Sequence, residues 1–204
     1  MSIEQKSVSY SRAFNADTTS EKKKAGTPSE AGKHDDLPEG FANLSEASRE
    51  HVQKAIDIHR AYLQDGDLIP PTFIIEKDKS VVLLPVDGSS QQAKDISADT
   101  ARRIASLSNS EFVAFVSIAW VLPESQLQNA SAILAKYGSI KKCPRSLKRA
   151  QVNLETRKGR YFALVPILAC PPSKKRKTLG QVVWHRSDNV RGTLTGILPL
   201  DSER

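Results

Sequence analysis

The run Phe112-Val113-Ala114-Phe115-Val116-Ser117-Ile118-Ala119-Trp120-Val121-Leu122 constrains this chain more than any other stretch. It carries no charge and is rich in β-branched and aromatic residues. Extended, it presents Phe112, Ala114, Val116, Ile118, Trp120 and Leu122 on one face and Val113, Phe115, Ala119 and Val121 on the other. A strand that is apolar on both sides predicts the centre of a sheet covered on both faces. The run is far shorter than the roughly 20 apolar residues a membrane span needs, and Met1 to Lys6 lead into no apolar segment of the kind a secretory signal carries. The expectation is a soluble, cytoplasmic protein without membrane contact.

The elements around this strand follow from periodicity and turn chemistry. Residues 1–40 are poor in large apolar side chains and read as a disordered tail. Order is expected from Phe41. Ser45 is a suitable N-cap, Val52, Ala55, Ile56, His59, Tyr62 and Leu63 recur at helical spacing, and Gly66 supplies a stop. After Pro70-Pro71, Thr72–Glu76 and Val81–Val86 predict a hairpin. Ser97 is read as the cap of a second helix that ends at Asn109, and residues 124–138 as an inserted helix closed by Gly138. Arg149–Thr156 and Arg160–Leu168 predict a second hairpin turning at Lys158-Gly159, its second strand beside the central one and Pro166 marking a bulge or an edge. A basic loop over 171–178, a strand at Gln181–Arg186 and a further strand at Gly192–Leu198 complete the chain. The class is α+β, a mostly antiparallel sheet with two to three helices, in one domain spanning 41–200. Without the inserted helix, this succession is similar to the roadblock and profilin-like adaptor folds, a likeness of element order that carries no activity.

The formal net charge of +7 is unevenly spread: residues 1–40 sum to −1, residues 41–138 to −3 and residues 139–204 to +11. Between Lys141 and Lys177, twelve Lys or Arg face the single acid Glu155. Lys174, Lys175, Arg176 and Lys177, behind Pro171-Pro172, form the densest group, backed by Lys141, Lys142, Arg145, Lys148 and Arg149. Cations gathered in this way neutralise phosphates and release their counterions, or bind an acidic protein partner. In a nucleated cell the same group is the composition of a nuclear-import signal. A solvated loop kept soluble by lysine is the plainer account.

Ile69-Pro70-Pro71-Thr72-Phe73, Phe115-Val116-Ser117-Ile118-Ala119-Trp120, the combination of Pro144, Lys148-Arg149 and Val152, and Leu154-Glu155-Thr156-Arg157-Lys158-Gly159 give residues 50–168 a resemblance to a loosely defined group of small uncharacterised bacterial and phage proteins. That group often has an acidic residue where Ile118 stands, and another after the basic pair where Ala150 stands. The resemblance implies a mobile-element origin and no activity.

Catalytic patterns are weak. His51 and His59 are eight apart on one helix, about 80° round its axis, rather than at the four-residue spacing of paired metal ligands. Cys143 and Cys170 lie 27 apart, without the spacing of a zinc site or redox pair. Either thiol with His185 is a formal nucleophile and base, but nothing local activates the sulfur. Lys158-Gly159-Arg160-Tyr161-Phe162 matches the RNA-recognition strand signature only at Lys158, Gly159 and Phe162, and a strand apolar on both faces makes Phe162 a core residue. Trp184-His185-Arg186 combines a stacking surface with a cation, although a half-buried Trp at a sheet edge explains it as well. No cofactor or metal site is expected.

The leading expectation is a non-catalytic accessory protein that binds a polyanion, nucleic acid first, through its basic C-terminal half. One alternative is a protein-interaction module using the helices at 45–65 and 125–137. The other is a metal-dependent nucleic-acid enzyme drawing on Asp65, Asp67, Glu76, Asp78 and Asp87. Oligomeric state is open.

Overall fold

A computed structural model describes residues 44–77, 80–186 and 192–201. The expected tail over 1–40 and the start of order at Phe41 lie outside the described residues. The architecture is α+β. Helix α1 (Glu46–Asp65) precedes the hairpin β1 (Thr72–Lys77) and β2 (Ser80–Pro85). Helix α2 (Gln91–Leu107) leads into β3 (Phe112–Val121), and a 3-10 turn at Glu124–Asn129 continues as α3 (Ala130–Tyr137). After a short 3-10 turn at Ile140–Lys142 come β4 (Leu147–Thr156), β5 (Gly159–Cys170), β6 (Ser173–Leu179) and β7 (His185–Arg186). The sheet order is β2-β1-β3-β4-β5-β6, with β7 beside β5 and every pair antiparallel.

Helix α1 forms where its caps place it. Ser45 accepts the Ser48 N–H at 3.2 Å, and Gly66 takes the left-handed conformation, φ 90°, that closes the last turn onto Leu63 and Tyr62. Val52, Ala55, Ile56 and Leu63 pack on one sheet face against Ile74, Phe112, Ala114, Val116, Val152, Leu154, Ala163 and Val165. On the other face, Ala98, Ala101 and Ala105 of α2, with Ile197 and Leu198 from the C-terminal segment, cover Phe73, Ile75, Val113 and Phe115. Small alanines let α2 lie close to the sheet.

Several expectations need correction. Helix α2 begins seven residues earlier than Ser97 suggested. Ser90 caps it by accepting the Ala93 N–H at 3.0 Å, while the Ser97 hydroxyl bonds back to the Ala93 carbonyl inside the helix. Strand β5 lies beside β4, which separates it from β3. The anticipated basic loop is strand from Ser173 onward. Of Gln181–Arg186, only His185 and Arg186 form a strand, and Gly192–Leu198 forms none. Pro166 sits in a regular register opposite Arg149. Its carbonyl accepts the Gly180 N–H just past β6, so its missing donor falls where that ladder stops. The irregularity lies instead at Ala169 and Cys170.

The central strand is covered on both faces only from Phe112 to Val116. From Ser117 onward it runs past α2 and past β1, whose pairing with β3 begins at Thr72 opposite Val116. This end of the sheet is partly open, and Trp120 is 37% exposed.

Candidate nucleic-acid interface

Antiparallel register brings the candidate cations to that open end. β3 finishes there at Val121 opposite Leu147, the first residue of β4, and the β5–β6 hairpin turns there. Lys141 and Lys142 occupy the 3-10 turn before β4, Arg145 the following turn, and Lys148 and Arg149 the start of β4 itself. Lys174, Lys175, Arg176 and Lys177 lie in β6, where Lys177 opposes Ala169 and Ser173 opposes Cys170. The three residues between have no register partner and bulge from the ladder. Their backbone is held locally, since the Ser173 hydroxyl accepts the N–H of Lys175 at 3.2 Å and of Arg176 at 3.1 Å.

All nine positions share one end of the sheet, but they do not share one face. Lys148 stands opposite Trp120, on the side of α1, while Arg149 stands opposite Ala119 and Pro166 on the other side. Lys177 shares the α1 side with Ile167 and Leu179. Lys175 lies beside the end of α1, where a side chain added at Gly66 would meet its Cβ at 4.0 Å. Lys141, Lys142, Arg145, Lys148, Lys175 and Arg176 are exposed, and Arg149 and Lys177 half-buried. Among the described residues the two ion pairs are Arg60–Asp57 and Arg102–Asp99, so none of these eight cations is neutralised by a described carboxylate.

Apolar groups lie on the α2 side of this end, the side that Arg149 shares. Leu147, Leu164 and Leu168 are 38%, 40% and 47% exposed. Phe162, expected in the core, is half-buried on this face and packs against His185, ring centroids 5.3 Å apart. Ile197 and Leu198 of the C-terminal segment pack with Phe73 and Ile75 of β1 and with Val113 and Phe115 of β3. Trp184 is half-buried against the α1 side of the core.

Sequence reasoning missed what holds that segment. Glu155, 5% exposed, projects from β4 on the α2 side and accepts three backbone N–H groups: Gly196 at 2.6 Å, Ile197 at 2.7 Å and Leu198 at 2.9 Å. Burial pushes its carboxyl pKa up, opposed by the three N–H groups and by Arg160. Its being the single acid among twelve cations was the available signal. A second carboxylate, Glu76, is buried at the same end of the sheet as Glu155, next to Ile75, which like Glu155 stands opposite Val113. It accepts from Ser48 and from the Glu111 N–H at 2.7 Å, and Ser48 also reaches Glu111 at 3.0 Å. These contacts tie the first turn of α1 to β1 and β3. The N–H of Ser45 is the main influence holding the Glu111 carboxyl below its usual range.

The residues considered for catalysis are not brought together. Cys170 lies eight residues along β5 from Phe162, the partner of His185, or about 26 Å at strand rise. Cys143 is buried with Leu122 and Ile133. Asp78 lies outside the described residues, and among the described residues no three His, Cys, Asp or Glu side chains converge as metal ligands. No helix among them is long and apolar enough to cross a membrane.

Compared with known proteins, the chain matches no family model, no curated protein and no solved structure.

Proposed function

We propose that the protein binds nucleic acid through the cation-bearing end of its sheet. The supporting observation is the convergence there of Lys141, Lys142, Arg145, Lys148, Arg149, Lys175, Arg176 and Lys177, none of them paired with a described carboxylate. Neutralising phosphates with these groups releases condensed counterions and drives association with little sequence preference. Because the cations wrap the end of the sheet on both sides, the flexible backbone of a single strand fits them better than a rigid duplex. Exposed Leu147, Leu164 and Leu168, on the same side of this end as Arg149, offer apolar surface to unstacked bases.

The test is fluorescence anisotropy with labelled single- and double-stranded oligonucleotides over a salt series. The expected log–log slope is about −0.7 per phosphate contact on single strands. Changing Lys175, Arg176 and Lys177 together to Glu should abolish binding, whereas absence of binding by the wild type at low salt overturns the proposal. A protein partner is the second reading, favoured by Leu127 and Leu134, 57% and 44% exposed at the inserted helix.

A further inference from the structure

The two lateral edges of the sheet are built differently. At β6 the sequence is Ser-Lys-Lys-Arg-Lys-Thr-Leu with a bulge, the combination of charge and irregularity that keeps an edge from pairing with another strand. At β2 it is Ser-Val-Val-Leu-Leu-Pro, regular over six paired residues and uncharged. Among the described residues nothing pairs with the outer side of β2. Its side chains already extend both cores: Val81 and Leu83 pack with the α1 cluster, Val82 and Leu84 with the α2 cluster, and all four remain half-buried.

The hydrogen-bond phase shows which backbone groups are free. The N–H of Val86 donates to Pro71 at 2.8 Å, so in the alternating antiparallel pattern Leu84, Val82 and Ser80 also bond inward to β1. Val81, Leu83 and Pro85 therefore direct their backbone outward, and Pro85 has no N–H to give. We propose that β2 pairs with β2 of a second copy of this chain about a two-fold axis through Val82, joining the two sheets edge to edge.

The register follows from the free groups. A two-fold axis normal to the sheet keeps each face on its own side, so partners must share an outward or inward phase. With Val82 opposite Val82, Val81 and Leu83 exchange both N–H···O bonds with Leu83 and Val81 of the other copy, four bonds in all. Centring on Leu83 would also give four bonds, but it would set Val81 against Pro85, whose ring stands where an N–H should meet the Val81 carbonyl. In the favoured register Val81 also meets Leu83 on the α1 side, and Val82 meets its own copy on the α2 side. Charge does not oppose it: the edge is uncharged from Ser80 to Pro85, so no like charges meet across the axis.

Sedimentation equilibrium of the full chain should show a concentration-dependent dimer. Val82→Lys and Val82→Glu should each be monomeric with unchanged circular dichroism, since like charges meet at the axis, and their equimolar mixture should recover the dimer. In wild type, the amides of Val81 and Leu83 should exchange about tenfold more slowly at concentrations where the dimer forms than in dilute solution. This second readout holds even if the variants fold poorly. A monomeric wild type overturns the proposal, as does a dimer that survives both single variants. Protection of those two amides that does not depend on concentration, as when the chain's own N-terminal residues lie on β2, overturns it as well.

Discussion

Replacing Glu155 with Ala should free the C-terminal segment from the sheet. The carboxylate accepts three main-chain N–H groups, from Gly196, Ile197 and Leu198, and holds Ile197 and Leu198 at 3% and 1% exposure against α2 and β3. Hydrogen bonds to a charged acceptor contribute about 1.5–3 kcal/mol each. The loss is nevertheless capped, because once it exceeds the docking energy the segment detaches and its N–H groups reach water. Burying Ile197 and Leu198 is worth about 1.5–3 kcal/mol apiece, so the cap lies near 3–6 kcal/mol. The expected destabilisation is about 3–5 kcal/mol by urea denaturation. It should be accompanied by loss of exchange protection at Ile197 and Leu198, with protection in β4 retained. Glu155→Gln keeps one acceptor oxygen and should lose less. A loss under about 1 kcal/mol with both amides still protected would refute the account of Glu155 as the latch.

Two further perturbations test the packing of α1. His59 is buried and its ring Nδ1 lies 2.8 Å from the Ala55 carbonyl; desolvation holds its pKa below 6.5. The unfolded chain therefore takes up this proton first as pH falls, so stability should be full above about 6.5 and decline as pH drops toward the folded-state pKa. Thermal unfolding from pH 8 to 5 should show that decline in wild type and a flatter profile in His59→Leu; equal slopes would contradict it. Ser48→Ala removes the hydroxyl joined to both Glu76 and Glu111 beneath the first turn of α1, and should cost about 2–3 kcal/mol in chemical denaturation, against no measurable change if the cluster is incidental.

Local chemistry made much of the fold legible. The Ser45 cap, the Gly66 stop, the Thr72 and Val81 runs and the Lys158-Gly159 turn all specify their elements through side chains close in sequence. What escaped depends on distant partners. Ser173–Leu179 has the composition of a solvated loop, and its strand character comes from pairing with β5 at Ile167–Cys170. Gly192–Leu198 alternates like a strand, but Glu155 takes the N–H groups a ladder would use. Ser97 has the chemistry of a cap, but Ser90 takes that role by accepting the Ala93 N–H, and the Ser97 hydroxyl bonds back into the helix. In the candidate interface the cations were legible one by one. Their meeting at one end of the sheet, and their division between its faces, depend on the β3–β4–β5–β6 register.

Edge protection and phosphate binding, the two roles proposed for the cations of β6, must be separated before binding data are interpreted. As guards of an edge strand, Lys175, Arg176 and Lys177 need only be charged, because a pairing strand would have to strip their hydration whatever their sign. As ligands for phosphate they must be positive. Neutralisation confounds the two, since an alanine variant that binds less nucleic acid has also lost its edge protection and is free to associate through β6. Reversal to Glu keeps the edge charged and inverts the attraction. A Glu variant that stays as well dispersed as wild type but no longer binds assigns the positive charge to the ligand. Unchanged binding after reversal would leave edge protection as the whole reason for these residues.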